Sequence, residues 1–317
     1  FNGRFDTANN IYNIEKLVLT SPQIKLTGNL TNAQTGQNIK TEGNFKADYN
    51  LAAVSSMISP FLPTGLTAEG SRNDTLWFSS TYPKQQPALF KQNLNAKATF
   101  GFDNAQYMGL NIGKTDFNLN VNKGLMNIAP FTTTVNQGTL NFAADANFRG
   151  TPPMFRMPKP TKILDQIQID RETTDALLVY VNPLFANALN VSGTLNFDCE
   201  KMVIPLDSGY QNEIGVIGTM AIDNMRLGGS SLLGQLIQLT GSSSNPLITV
   251  QPTRFVLANG VLSYEDMQMN LDDKAINFSG RIGLDKSMKM TVTLPWERNN
   301  QRVRLPLKGT IDRPEID

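Results

Sequence analysis

The 317-residue chain has no histidine, one cysteine and two tryptophans. Without histidine, the commonest general base and the commonest metal ligand are both missing. A single cysteine, Cys199, cannot make an internal disulfide, and it reads as a buried or half-buried apolar residue. Trp77 and Trp296 stand apart in the sequence and suggest no aromatic platform for sugars or bases. Charge is scarce as well: Asp, Glu, Lys and Arg are 17% of residues, with a formal sum of +1. Such a balance gives no strong field to select nucleic acid or an acidic substrate. No apolar run approaches the ~18–20 residues of a membrane-spanning helix, and no signal peptide is seen. Because Phe1 falls inside a strand-like pattern, a processed or excised part of a longer protein is expected, with any anchor in the missing portion.

Chemical motifs are missing too. There is no nucleophile-base arrangement, phosphate-binding glycine loop or metal-ligand spacing. Asp272-Asp273 sits where a turn is wanted, and a solvated turn explains it better than an acid/base pair. Gly228-Gly229 before a helix is only a weak anion-binding signal. Lys286, Lys289, Arg298, Arg302, Arg304 and Lys308 make the C-terminal end mildly basic, but Asp285, Glu297, Asp312 and Glu315 offset them. A solvated edge is the reading. Neither an enzyme nor a cofactor site is expected.

What the sequence does contain is alternation. Residues 253–294 read as four strands in a row. Phe255 and Leu257 alternate with polar or small neighbours, and Asn259-Gly260 supplies the φ > 0 pair of a tight hairpin. Leu262, Tyr264, Met267, Met269 and Leu271 follow, and then the Asp272-Asp273-Lys274 turn. Next come Ile276, Phe278, Ile282 and Leu284, a turn at Asp285-Lys286, and finally Met288, Met290, Val292 and Leu294. A side-chain period of two puts these on one oily face and leaves the other wet.

An earlier stretch repeats this one under a gapless shift of 136 positions. Leu119 falls on Phe255, Val121 on Leu257 and Gly124 on Gly260. Met126, Ile128, Phe131, Leu140 and Phe142 fall on Leu262, Tyr264, Met267, Ile276 and Phe278. The segment Ile24–Leu30 resembles Ile276–Ile282. Repeated strand units point to an extended, quasi-one-dimensional sheet.

Helical spacing interrupts the strands three times. Residues 50–62 suit a short helix capped by Asp48 or Asn50 and ended by Pro60 and Pro63. Residues 174–190 carry the clearest helical stripe, with Thr173 or Thr174 as cap and a kink at Pro183. Residues 230–240 form a leucine stripe started by Ser230 and stopped by Gly241. Both later helices are expected to cover the sheet, and the last to be displaceable. The four prolines of residues 150–162 mark a crossing loop and the best boundary, dividing 1–150 from 151–317 within one continuous unit.

The run Met267-Gln268-Met269-Asn270, Ile276-Asn277-Phe278-Ser279-Gly280 and Gly283-Leu284 resembles the C-terminal region of AsmA-like proteins. So do the close, Leu305-Pro306-Leu307-Lys308-Gly309-Thr310-Ile311-Asp312-Arg313-Pro314, and Tyr180–Ala186 leading to Val191-Ser192-Gly193-Thr194 and Ile204-Pro205-Leu206. The resemblance covers most of the chain from about residue 105. It implies a cell-envelope protein of a double-membrane bacterium, periplasmic and inner-membrane anchored in full length, whose long β-groove carries phospholipid between membranes. It offers no catalytic residues, and this chain lacks the family's usual N-terminal anchor.

The expectation is therefore an all-β, elongated, mostly antiparallel sheet curled into a hydrophobic groove, with two or three short amphipathic helices. Phospholipid acyl chains would lie on the oily face, along the apolar residues of the two repeats from Leu119 to Phe142 and from Phe255 to Leu294. Methionines at 126, 267, 269, 288 and 290 suit acyl chains of varied shape. Membranes and envelope proteins are the implied partners, and nucleic acid is not. The alternative is an assembly factor for outer-membrane proteins, acting by strand-edge pairing.

Overall fold

Alternating side chains become strands along most of the chain in a computed structural model, which describes residues 2–6, 11–58, 65–296 and 301–316. The strands are β1 (Asn2–Asp6), β2 (Ile11–Thr20), β3 (Ile24–Thr35), β4 (Asn38–Asn50), β5 (Thr67–Glu69), β6 (Ser71–Pro83) and β7 (Asn95–Phe102). Next come β8 (Asn104–Tyr107), β9 (Leu110–Ile112), β10 (Thr115–Asn122), β11 (Leu125–Val135), β12 (Gly138–Asn147), β13 (Met154–Arg156) and β14 (Thr161–Gln168). The series ends with β15 (Asn190–Pro205), β16 (Gly215–Gly228), β17 (Ile248–Ala258), β18 (Val261–Leu271), β19 (Lys274–Gly283), β20 (Met288–Trp296), β21 (Gln301–Thr310) and β22 (Arg313–Ile316). The fold class is all-β, with the 22 strands in one antiparallel sheet. Its helices are short: α1 (Leu51–Ile58), α2 (Leu89–Gln92), α3 (Arg171–Ala176) and α4 (Ser231–Thr240).

Two compact units divide the chain, the first comprising Phe1–Gln106, Gly113–Phe131 and Ala143–Pro158, and the second the remainder. In the first, successive antiparallel pairing links β1, β2, β3, β4, β6, β7, β10 and the start of β11. In the second, it links the start of β12 with β14 and then each strand in order to β22. The proline-rich stretch 150–162 holds one of the division points and also the short strand β13, which pairs with β12.

The two repeats match in local structure. β11 and β18 begin and end at positions offset by 136, and so do β12 and β19. Lys123-Gly124 and Asn259-Gly260 are both left-handed pairs, as two-residue hairpins demand. Asn136 and Asp272, the first turn residues of the next hairpin, are left-handed as well. The period of two also breaks at one place in each. Tyr264 and Met267 share a face because a bulge turns both Glu265 and Asp266 outward, and Ala129 and Pro130 are likewise exposed as a pair.

The helices obey local chemistry. Asn50 Oδ1 accepts the Ala53 amide at 3.1 Å to start α1, while Pro60 and Pro63 lie outside the described residues. Ser230 caps α4 and Gly241 ends it at φ 66°. The helix expected over 174–190 is instead three short pieces: α3, capped by Asp170 and not by a threonine, and 3-10 turns at Leu178–Tyr180 and Pro183–Phe185. Pro183 holds Asn182 extended at φ −152°, and the freed Asn182 side chain caps the next turn at Leu184. A helix, α2, also sits where the sequence shows only strand texture.

The turn glycines supply a test. A Cβ on Gly260 would meet nothing closer than Asn212 Oδ1 at 3.6 Å, whereas one on Gly124 would stand 2.7 Å from the Lys91 carbonyl. Gly260→Ala therefore costs the left-handed penalty alone, about 1 kcal/mol. Gly124→Ala adds a backbone clash and should cost at least about twice that in denaturant unfolding.

Candidate functional site

In the second unit, the oily face of the meander is closed. Tyr264, Met267, Met269, Leu271, Ile276, Phe278, Met290, Val292 and Leu294 are all buried, and Met269 and Phe278 are 0% exposed. The segment 171–189 and α4 lie over this face. The Tyr264 hydroxyl donates to the Val181 carbonyl at 3.0 Å, and Asn182 Nδ2 donates to Tyr264 Oη at 3.3 Å and to Met267 Sδ. Leu232, Leu233 and Leu236 of α4 are buried, and α4 packs on β20 and β22. An open lining along these residues is thus corrected to a packed core, because the chain supplies its own cover. Phe255, Leu257, Leu262, Leu140 and Phe142 are half-buried, with Phe255 stacked on Phe197 at 5.5 Å. Leu284, expected on the oily face, lies just past the end of β19 and is exposed.

The first unit has the same kind of face with less cover. Two cross-strand rows run over six strands. One joins Gly28, Phe45, Leu76, Ala98, Leu119 and Ile128, and the next joins Leu30, Gly43, Phe78, Ala96, Val121 and Met126. The glycines are needed: a Cβ on Gly43 would stand 2.6 Å from the Phe78 ring and 2.7 Å from that of Phe45. The rings therefore lie down over bare backbone. Beyond them, Phe117 stacks on Phe100 at 4.7 Å and meets Phe131 edge-on at 4.7 Å. Phe90 of α2 caps one end against Phe78 and Tyr82. Elsewhere the face is partly open: Leu76 is 40% exposed and Phe100 38%. Of the residues expected here, Val121 is buried, and Leu119, Met126, Ile128 and Phe131 are half-buried. Phe45, Leu76, Phe78 and Phe117 join them. Their alternation is visible in the sequence, but the pairing that gathers them is not.

A polar node adjoins this unit's aromatic residues. Arg72 is ion-paired to Asp74 at 3.1 Å and to Asp116 at 2.8 Å, and Tyr49 donates to Asp74 at 2.7 Å. Burial, and then the Asp74 carboxylate, push the Tyr49 hydroxyl up to about 12. Burial likewise pushes the Cys199 thiol up to about 11, which suits a packing role and not a nucleophile. Trp77 stands on the polar face, in a hollow of about 410 Å³ with Asn44, Lys97 and Asn118. Among the described residues no group of three or more His, Cys, Asp or Glu could hold a metal, and no helix is long and apolar enough to cross a membrane.

Asp272 serves the turn and the loop after α4. Its carboxylate accepts from the Ser243 hydroxyl at 2.7 Å and from the Leu247 amide at 3.0 Å. These bonds, the serine's first, hold its pKa below the ordinary 3.8. A depressed folded-state value means stability that is fully present above 3.8 and lost as pH falls through the folded value. Comparison with family models, curated proteins and solved structures finds no match.

Two outcomes are expected. Asp272→Asn should lower the protection of the Ser243 and Leu247 amides against exchange at pH 6, and should remove the further loss of protection that wild type shows as the carboxylate is protonated. Met269→Asn, at a fully buried position, should cost about 3 kcal/mol or more, while Leu76→Asn should cost about 1 kcal/mol. Equal losses in urea unfolding would mean that the two faces are covered alike.

Proposed function

We propose that the protein binds lipid acyl chains without covalent chemistry, and that the apolar face of the first unit is where they lie. The observation that carries this reading is the pair of apolar rows across six strands, with Leu76 and Phe100 left more than a third exposed. Apolar side chains gathered on one sheet face with incomplete cover call for an apolar partner. Each methylene laid on it gains about 0.8 kcal/mol, and flat rings and small residues leave a surface that a chain can lie against at many positions. A shallow, repeated surface suits movement along it, because no one position binds much better than the next. With the AsmA-like resemblance, this supports phospholipid binding and transfer between the membranes of a bacterial envelope.

The test is extraction of the purified protein with organic solvent, followed by mass spectrometry and by a vesicle-to-vesicle transfer assay. Phospholipid should be recovered, and a photo-crosslinking residue at Leu76 or Phe100 should capture it. The double variant Leu76→Asn, Phe100→Asn should lower lipid recovery and transfer at least tenfold while remaining folded, with a stability loss of no more than about 2 kcal/mol in urea unfolding. Strand-edge pairing with an outer-membrane protein client predicts instead that no lipid is recovered and that the double variant behaves as wild type.

A further inference from the structure

We propose that the polar face of the second unit carries a binding site for a small phosphate-bearing zwitterion, with an ammonium at one end and a phosphate at the other. This site is independent of the acyl-chain reading, because its side chains alternate with the buried ones and so point to the opposite side of the sheet. It is a hollow of about 530 Å³ on four neighbouring strands, β18 to β21.

Its walls are opposite in charge. Glu265 and Asp266 form one, on β18, and Arg302 and Arg304 form the other, on β21. The bulge between Tyr264 and Met267 makes the acidic wall by turning two successive carboxylates outward where a regular strand would show one. The corresponding pair in the other repeat, Ala129-Pro130, is also exposed and carries no charge, so an outward-facing pair at this place does not require acid. The floor between the walls is neutral: Asn277 pairs with Thr293, which pairs with Arg304, and Ser279 pairs with Thr291. Asn277 donates to Asp266 and so orients that carboxylate.

The two walls do not neutralise each other. Among the described residues neither arginine makes an ion pair and Glu265 has no cationic partner, whereas Arg254 and Glu200 elsewhere on the surface close into a two-pronged pair at 2.9 Å. Separation explains this. From β18 to β21 is three strand spacings, about 14 Å between backbones, which the side chains span only in part. Two cations and two carboxylates sum to zero, so an ion of one sign gains at one wall and loses at the other. A molecule with both signs gains at both. Two guanidinium groups suit the several oxygens of a phosphate, which the floor hydroxyls can also reach, and an ammonium suits the carboxylate pair.

The experiment is calorimetric titration at low ionic strength with O-phosphoethanolamine, inorganic phosphate and ethanolamine in turn. The zwitterion should bind at least tenfold more tightly than either half. Arg302→Gln with Arg304→Gln should lower its affinity at least tenfold, and so should Glu265→Gln with Asp266→Asn. The acid-neutralised variant should bind inorganic phosphate more tightly than wild type, a gain that damage to the fold would not produce. A second arm uses vesicles of phosphatidylcholine with and without phosphatidylethanolamine. Binding that needs the ethanolamine lipid and is lost in both double variants assigns the zwitterion to a lipid headgroup. Binding of soluble O-phosphoethanolamine alone assigns it to a free metabolite. Equal affinity for the zwitterion and its halves, binding unchanged in both double variants, or binding of neither probe overturns the proposal.

Discussion

A strand whose side chains alternate must put half of them on a face that the ladder cannot hide. Hydrogen bonds between strands satisfy the backbone, but they leave the apolar side chains as a flat sheet surface in need of a second layer. Most of the remaining structure answers this one constraint. The second unit covers its face with helical pieces drawn from the segment 171–189 and from α4, and the result is a core in which Met269, Phe278 and Val292 have no contact with water. The first unit lays Phe45 and Phe78 down over glycine backbone, caps one end with Phe90, and leaves Leu76 and Phe100 partly exposed.

The cover of the second unit is of two kinds. Segment 171–189 is fastened by polar contacts within the core: Asn182 is fully buried and bonds both Tyr264 and its own next turn, and Tyr264 bonds the Val181 carbonyl. Lifting it away would strand a hydroxyl, an amide and a carbonyl, each at a cost of about 1–3 kcal/mol if they stayed dry. Burial raises the Tyr264 pKa far above its usual value, so the hydroxyl keeps the proton it donates. The underside of α4 presents leucines instead, which fix depth but not register, and its ends are a glycine pair at 228–229 and Gly241. Of the two, α4 has the smaller polar penalty for leaving the sheet.

The fold class was legible because a period of two is hard to mistake over ten or more residues, and because Asn259-Gly260 fits little else than a tight turn. The repeat was legible for the same reason, and strand ends offset by 136 at four places follow from turn residues at fixed positions. Apolar spacing over 174–190 points to one long helix because it does not reveal that Asn182 spends its side chain on a cap and that Pro183 holds it extended. The open or closed state of each face was not legible at all. Leu76 and Met269 are both apolar residues in alternating strands, and only the arrival of a distant segment over one of them makes the difference.

The polar face follows a different logic, and the same bulge connects the two. By inserting one residue, it brings Tyr264 and Met267 onto one side, where both reach Asn182, and it forces Glu265 and Asp266 onto the other. An unbulged strand would send one of the two carboxylates into the core, where an unpaired charge would cost far more than the hydrogen bonds around it return. In the first repeat the corresponding positions hold Ala129 and Pro130, which are exposed as a pair with no charge. An outward-facing pair thus occurs in both repeats, while the acidic pair belongs to the second alone. Packing accounts for the bulge. It gives no reason for carboxylates where the other repeat carries alanine and proline, and the arginines on β21 facing them across a neutral floor supply one.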